Sequence, residues 1–249
     1  QLVVTFIAFS SVASAVYIFN DSIDIKHDRA HPVKKHRPLA SGALSIKWAS
    51  FLGLGLGLFG LGIAYIQSVW VPFLLYICLN ILYSIKLKHV PIIDVFIIAI
   101  GFVLRLIIGA SVSNVELSMW IVIMTFLLAL FLAFSKRKGD LANLNGQSQA
   151  RPVLDEYSQE FLSICMAIMG SVVIVSYIMY TTSETVIAYT NSRYVYTTSL
   201  FVVFGILRYL KITFFDQTTE NPTKVLIHDI WLQVSILAWL LSFAILLYR

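Results

Sequence analysis

The chain has 249 residues, of which 59% are hydrophobic and only 12% are charged. Soluble domains carry roughly 25% charged residues, so the composition excludes a soluble enzyme and indicates an integral membrane protein. The net charge of +5 fits basic loops on the cytoplasmic side of a membrane, and we expect no nucleic-acid partner. Cys78 and Cys165 lie in apolar runs and are expected to be packing residues, not a disulfide or a metal pair.

Eight apolar runs are long enough to span a bilayer. They are Leu2–Phe19, Ile46–Ile66, Val69–Ile85, Ile92–Val112, Leu117–Phe134, Phe161–Tyr180, Tyr194–Leu210 and Ile230–Tyr248. Gly53, Gly57 and Gly60 share one face of the second run, which predicts close packing against a neighbouring helix. The predicted fold class is all-α, a multi-span transmembrane helical bundle that forms a single domain over residues 1–249.

Lysine and arginine are concentrated in alternate loops. The loops after the first, third, fifth and seventh runs hold nearly all the basic residues outside the runs, whereas the intervening loops hold only Arg193. Because basic residues accumulate in cytoplasmic loops, the odd-numbered loops are predicted to be cytoplasmic. The candidate catalytic groups lie on that same side, which suits a soluble, charged substrate.

The loop after the first run, residues 20–42, begins with Asn20, Asp21, Asp24 and Asp28. On a helix that advances about 100° per residue, these four side chains fall within an arc of about 100°. Carboxylates so close together repel each other unless a cation lies among them, and hard oxygen ligands suit Mg²⁺. The loop lacks the central glycine and terminal glutamate of an EF-hand, so this type of calcium site is excluded.

A basic cluster, Lys34-Lys35-His36-Arg37, follows the aspartates in the same loop. The positive-inside rule alone would explain these residues, but it would not explain three aspartates on one helical face. A metal held by carboxylates beside a group of cations predicts a diphosphate-binding site, with Lys34 and Arg37 as phosphate ligands.

A second polar group follows the third run. It contains Tyr83, Lys86, Lys88 and Asp94, and eleven residues after Asp94 comes Arg105 on nearly the same helical face. Arg105 lies well inside a span, where a charge costs about 2.5–3.5 kcal/mol unless it faces a polar cavity. Two interpretations remain: a structural ion pair with another buried carboxylate, and a cavity residue that binds substrate phosphate. We prefer the second.

These motifs resemble a known family. The pattern NDxxDxxxD over residues 20–28 resembles the first aspartate-rich motif of the UbiA superfamily of intramembrane prenyltransferases. The continuation HPVKKHRPLASG and the later YSxKLKHVPxxDVxxxAxGFVLR resemble its decaprenyl-phosphate phosphoribosyltransferase branch. Members of the superfamily usually have nine spans, with this motif after the second, so we expect the chain to lack the family's first span.

The fifth loop departs from the pattern of most members. They carry a second aspartate motif, DxxxD, whereas this chain has one aspartate, Asp140, on a helical face shared with Lys136 and Arg137. Cations can hold a phosphate directly, as a lipid monophosphate would require. The neighbouring Lys138 is explained as well by snorkelling at the end of a helix.

The resemblance implies a Mg²⁺-dependent transfer of a phosphoribosyl group from phosphoribosyl diphosphate to a polyprenyl phosphate in a bacterial plasma membrane. Asp21, Asp24 and Asp28 would be the catalytic metal ligands. The substrate-binding residues would be Asn20, Lys34, Arg37, Tyr83, Lys86, Lys88, Asp94, Arg105, Lys136, Arg137 and Asp140. The active site would face the cytoplasm, membrane lipids would surround the spans, and oligomer formation is left open.

Two alternatives remain. A conventional prenyltransferase that acts on an aromatic acceptor would use the same first motif but should carry DxxxD in the fifth loop. A transporter would need charges near the centres of several spans and some inverted repeat, whereas one deep charge, Arg105, and no convincing repeat are seen. The seventh loop, Asp216–Asp229, ends in ENPTKVLIHD, which resembles the family's PTExLLxD segment, and we expect it to serve loop packing.

Overall fold

The computed structural model describes residues 1–30, 34–142, 152–216 and 222–248. Within these ranges the regular secondary structure is helical. The α-helices are α1 (Leu2–Ala30), α2 (Ile46–Ile66), α3 (Trp70–Ile85), α4 (Ile93–Ser113), α5 (Met119–Ala142), α6 (Gln159–Thr181), α7 (Glu184–Thr190), α8 (Ser199–Lys211), α9 (Pro222–His228) and α10 (Ile230–Tyr248). The predicted all-α membrane bundle is confirmed.

Seven of the eight predicted spans correspond to helical stretches of at least 18 residues that are apolar enough to cross a membrane, and the remaining one is the 16-residue α3. The chain is an integral membrane protein. Two of the predicted loops begin as helix: α1 continues past its apolar part to Ala30, and α5 continues to Ala142. These polar ends belong to the same helices as the spans. The length of an apolar run alone therefore places the end of each helix too early in the chain.

Several helix ends follow from local sequence. Ser45 precedes α2 and accepts a hydrogen bond from the Trp48 amide, and Ser158 precedes α6 and accepts one from the Phe161 amide. These hydroxyls satisfy amide groups that lack a partner in the first turn of a helix. Asn114 ends α4 in the left-handed conformation, with φ of 52°, which asparagine tolerates better than most residues.

The chain divides into two compact units, of which the first comprises residues 1–117 and 147–153. The prediction of one domain over residues 1–249 stays a prediction. In the first unit, α1 contributes Ala8 and Val12 to a buried core that also contains Phe73 and Tyr76 of α3 and Ile108 of α4. Because the apolar half of α1 packs in this core, the orientation of the polar end of α1 is fixed as well.

Helix α2 packs closely on α1 through the predicted glycine face. A Cβ added to Gly60 would lie 2.5 Å from the Ala8 carbonyl oxygen, and one added to Gly53 would lie 3.3 Å from Ile18. At Gly55 and Gly62, on the other side of the helix, no atom of another described element lies within 4 Å of that position. The predicted close-packing surface is therefore confirmed.

The second unit comprises residues 118–146 and 154–249. Helix α5 packs along α6, α6 packs against α8, and α8 packs against α10. A buried polar group joins three of its elements: the Tyr177 hydroxyl lies 2.7 Å from Thr198 Oγ1 and accepts a hydrogen bond of 2.6 Å from Trp239 Nε1. Burying these groups is tolerated because each has a partner.

Candidate active site

The acidic end of α1 is bound by two cations from later in the chain. Arg37 Nη1 lies 2.8 Å from Asp21 Oδ1 and 2.9 Å from Asp28 Oδ2. Lys88 Nζ lies 2.5 Å from Asp24 Oδ1. The Asp28 side chain is only 6% exposed, whereas the other members of the cluster are more accessible. The structure thus brings together five residues that the sequence motifs placed in one site, and Asn20 lies half-buried beside them on α1.

The described residues after α1, from Lys34 onward, place Arg37 beside the aspartates. Residues Lys34–His36 form a 3₁₀ turn, and the amide of Arg37 donates to the Lys34 carbonyl at 2.9 Å. Arg29 Nε donates to the Ala40 carbonyl at 3.0 Å, which ties the RPLASG segment to the end of α1. Residues 31–33 of the HPVKKHRPLASG motif lie outside the described residues.

The connection between α3 and α4 places Lys88. A 3₁₀ turn, Leu87–His89, follows α3, and Tyr83 and Lys86 lie just before it, half-buried and exposed respectively. The Ile93 amide then donates to the Pro91 carbonyl at 2.7 Å, and Ile92 has φ of 68° and ψ of −46°. This geometry is a γ-turn of the rare and strained form, which for a β-branched residue is an outlier.

Strain of this kind is found most often at functional sites, where the surrounding structure maintains it. Directly after the turn, Asp94 lies in the first turn of α4 and is completely buried. The motif YSxKLKHVPxxD therefore folds into a short connection that directs Lys88 to Asp24 on α1.

The donor chemistry of the acidic face fits a hard divalent cation. Asp21 and Asp28 already converge on one cationic nitrogen, and carboxylate oxygens are the ligands that Mg²⁺ prefers. In the described part of the chain, no three acidic, histidine or cysteine side chains are grouped closely enough to hold a metal ion. Metal binding by Asp21, Asp24 and Asp28 therefore stays a prediction.

Arg105 lies among aromatic side chains of the first unit. Its Nη2 donates to the Tyr76 hydroxyl at 3.2 Å, and its guanidinium carbon lies 4.8 Å from the ring centre of Phe102 and 5.7 Å from that of Phe9. Cation–π contacts of this kind offset part of the cost of a charge inside a span. Asp94 shares its helical face but lies about 16 Å away along the helix axis. Phosphate binding by Arg105 stays a prediction.

In the second unit, the charged end of α5 contains a buried and an exposed cation. Arg137 is only 2% exposed and lies 3.6 Å from Asp140, whereas Lys136 is exposed. Next to them, Lys138 Nζ donates to Ser163 Oγ at 2.8 Å and lies 3.8 Å from the ring centre of Phe214. Lys138 therefore joins α5 to its neighbours, as a structural residue would. Arg151 lies outside the described residues.

The sequence motifs did not identify an ion pair between Arg208, in the last turn of α8, and Asp229, directly before α10. Arg208 Nη2 lies 2.6 Å from Asp229 Oδ2, and Nε donates to the same carboxylate at 3.1 Å. Asp229 also accepts a hydrogen bond from the Leu232 amide, which caps α10. The hydrogen bonds from Arg208 hold the pKa of Asp229 below its ordinary value. A basic residue near the end of one apolar run and an acidic residue before the next are the signals that could have found it.

Helix α9 lies within the segment Asp216–Asp229, which was expected to be a packing loop. Val225 of this helix is buried, which agrees with a packing role, whereas Asn221 lies outside the described residues.

The chain resembles known proteins along most of its length. The model of the UbiA prenyltransferase family matches residues 1–151. The chain is 29% identical to the decaprenyl-phosphate phosphoribosyltransferase of Mycolicibacterium smegmatis, over 95% of this chain and 77% of that protein. It is also 29% identical to the protein of the same name from Corynebacterium glutamicum, over 72% of this chain and only 56% of that protein.

A solved structure shares the fold. The UbiA homologue from Archaeoglobus fulgidus bound to GPP and Mg²⁺ matches 100% of this chain and 88% of that chain, with a TM-score of 0.74 and 18% identity. The resemblance seen in the motifs is thus confirmed, both for the superfamily and for relatives of the phosphoribosyltransferase branch. Since the family model covers more than half of its residues, the chain belongs to the UbiA prenyltransferase family, a family of membrane transferases.

Proposed function

We propose that this protein transfers a 5-phosphoribosyl group from phosphoribosyl diphosphate to a polyprenyl phosphate and releases diphosphate. The observation that carries the proposal is the 29% identity to a decaprenyl-phosphate phosphoribosyltransferase over 95% of this chain. The reaction would take place at the cytoplasmic face of a bacterial plasma membrane, where basic loops accumulate.

The acidic end of α1 would receive the diphosphate. Asp21, Asp24 and Asp28 carry the oxygen ligands for Mg²⁺, and the solved UbiA homologue was bound to GPP and Mg²⁺. When bound, Mg²⁺ supplies neutralisation of the negative charge on the departing diphosphate. Asn20 offers an additional oxygen on the same face of the helix.

The cations around this face would bind phosphate oxygens. Arg37 and Lys88 already lie at the carboxylates, and Lys34 and Lys86 belong to the same two connecting segments. Charge-assisted hydrogen bonds from such groups are roughly twice as strong as neutral ones. These residues would hold the substrate so that its diphosphate can leave the anomeric carbon, which then gains oxocarbenium character. Tyr83, Asp94 and Arg105 would complete the substrate-binding set.

The charged end of α5 would bind the lipid phosphate. This segment contains three cationic side chains, Lys136, Arg137 and Lys138, and one carboxylate, Asp140. It therefore has a net positive charge. The phosphate of the lipid is already ionised near neutral pH, and the acceptor oxygen therefore needs no strong general base. Exposed Lys136 is the best-placed ligand, because Arg137 is buried.

A conventional prenyl transfer to an aromatic acceptor is the second candidate, and it is favoured by the binding of GPP to the structurally similar homologue. It would require carboxylates for a second metal site, whereas the end of α5 is mainly cationic.

The test uses membranes that contain the protein, incubated with labelled phosphoribosyl diphosphate and a series of polyprenyl phosphates. We expect label to enter the lipid fraction only with a polyprenyl phosphate acceptor and a divalent metal ion. Prenyl transfer from a prenyl diphosphate to an aromatic acceptor, at a rate that rivals phosphoribosyl transfer, would favour the second candidate instead.

A further inference from the structure

The carboxylates of α1 are neutralised by the chain itself. Arg37 contacts Asp21 and Asp28 through one nitrogen, and Lys88 contacts Asp24. Each of the three predicted metal ligands therefore has an oxygen that is bound to a cationic side chain. A divalent ion bound among these carboxylates would lie next to the two cationic groups, and the repulsion between like charges favours the departure of the side chains.

The same two side chains are the ones expected to bind phosphate. A guanidinium or ammonium group that is hydrogen-bonded to a carboxylate cannot offer the same hydrogens to a diphosphate. A diphosphate that engages all the donors of Arg37 and Lys88 would therefore compete with their contacts to the aspartates.

We propose that Arg37 and Lys88 are exchangeable counter-ions of the acidic face. They hold Asp21, Asp24 and Asp28 together in the metal-free protein and transfer to the diphosphate when the metal ion binds the carboxylates. This inference rests on the proposed function, because it assumes that the metal and the diphosphate bind at α1.

The exposed fractions of the Arg37 and Asp28 side chains favour an exchange over a permanent ion pair. The Arg37 side chain is 38% exposed and lies in a surface loop, so it can move without opening a core. Asp28 is 6% exposed, and a buried carboxylate without a cation is strongly destabilising. Arg37 can therefore leave Asp28 only when another cation replaces it, which couples its release to metal binding.

The exchange makes metal and diphosphate bind cooperatively. A metal ion alone must break three ion pairs and gains no partner for the two released cations, so its affinity is low. Diphosphate provides that partner, and by thermodynamic linkage each ligand strengthens the other by the same factor. If Arg37 and Lys88 did not contact the three aspartates, the aspartates would bind the metal ion well in the absence of substrate.

The experiment measures Mn²⁺ binding to the purified protein in detergent, by calorimetry or electron paramagnetic resonance, with and without inorganic diphosphate. The variants are Arg37→Gln, Lys88→Gln and the control Lys35→Gln, which removes one exposed positive charge from the same loop. We expect Arg37→Gln and Lys88→Gln to bind Mn²⁺ alone at least about fivefold more tightly than the parent. The enhancement by diphosphate should fall by a similar factor, and Lys35→Gln should match the parent.

Mn²⁺ affinities of Arg37→Gln and Lys88→Gln that equal or fall below the parent value would refute the exchange and leave the proposed function intact. Failure of the parent and every variant to bind Mn²⁺, with or without diphosphate, would overturn the exchange and the metal-dependent mechanism together. Should Arg37→Gln not fold without metal, recovery of its folded state in Mn²⁺ supports the exchange. If Mn²⁺ does not restore that state, the exchange is tested by the Mn²⁺ affinity of Lys88→Gln, which removes the cation from Asp24.

Discussion

The acidic end of α1 and the charged end of α5 are both extensions of membrane helices, yet they handle charge in opposite ways. On α1, three carboxylates are bound by two cations from residues 9 to 64 positions away. On α5, three consecutive cations stand against one carboxylate, and the ion pair of Arg137 with Asp140 is local. The first end therefore favours a bound cation and the second favours a bound anion, as a diphosphate–metal site and a lipid-phosphate site would require.

The largest expected effect is the loss of the acidic face. Asp28→Ala should reduce phosphoribosyl transfer by about 100-fold or more, because it removes a predicted metal ligand and leaves Arg37 with one carboxylate partner. The measurement is transfer of label to the lipid in membranes, with insertion checked by quantifying the protein. Glu184→Gln, an exposed change in the second unit, is the control. Near-normal turnover of Asp28→Ala in EDTA would contradict the assignment.

The second effect concerns the anion-binding end of α5. Lys136→Ala should weaken binding of the lipid phosphate about ten- to a hundredfold, because one charge-assisted hydrogen bond contributes about 1.5–3 kcal/mol. Binding of phosphoribosyl diphosphate should change far less. Equilibrium binding of each substrate is measured, and Lys211→Ala, an exposed change at the end of α8, serves as the control. If Lys136→Ala weakened the binding of both substrates equally, the end of α5 would not bind the lipid phosphate selectively.

The third prediction compares how tightly helices pack in the two units. Gly60→Ala should lower the free energy of unfolding by about 1–3 kcal/mol, since the added Cβ meets the Ala8 carbonyl. Gly170→Ala should cost less, because its nearest neighbours are side-chain atoms of Ile206 and Phe131. Thermal unfolding in detergent is the measurement, and the control is Gly62→Ala, whose added Cβ meets no atom of another described element within 4 Å. A Gly62→Ala variant as unstable as Gly60→Ala would contradict the packing argument.

The smallest effect is a pH dependence in the second unit. Because Arg208 lowers the folded-state pKa of Asp229, the pair stabilises the fold fully above the unfolded-state pKa, and this stabilisation is lost as pH falls through the folded-state pKa. Asp229→Asn should therefore lower the melting temperature at pH 7 and have less effect near pH 3. Glu160→Gln, at the start of α6, is the comparison variant. If Asp229→Asn lowered the melting temperature equally at both pH values, the ion pair with Arg208 would not be the source of the stabilisation.

Local sequence was sufficient for much of the fold. Apolar run length predicted the spans because the bilayer thickness sets the number of residues a helix needs. The glycine face of α2 was also predictable, because the helical period alone places Gly53, Gly57 and Gly60 together. The helix ends beyond the membrane, at Ala30 and Ala142, were not predictable from hydropathy because their residues are polar.

The candidate site was only partly predictable. The shared face of Asp21, Asp24 and Asp28 follows from the helical period, whereas the identity of their partners does not. Arg37 and Lys88 reach them through a folded loop and a strained turn at Ile92, and nothing in the local pattern predicts that turn. Arg105 shows the same limit, because its neighbours Phe9 and Tyr76 come from two other helices.

By itself, the sequence determined the membrane class, the helical architecture, the family and the residue types available for chemistry. These properties depend on composition, on the 3.6-residue period and on motifs that are contiguous in the chain. Only the tertiary structure decided which charges are paired: Arg37 with Asp21 and Asp28, Lys88 with Asp24, and Arg208 with Asp229. The physical reason is that an ion pair depends on distances of a few ångströms between side chains, and these distances arise only when separate helices pack together.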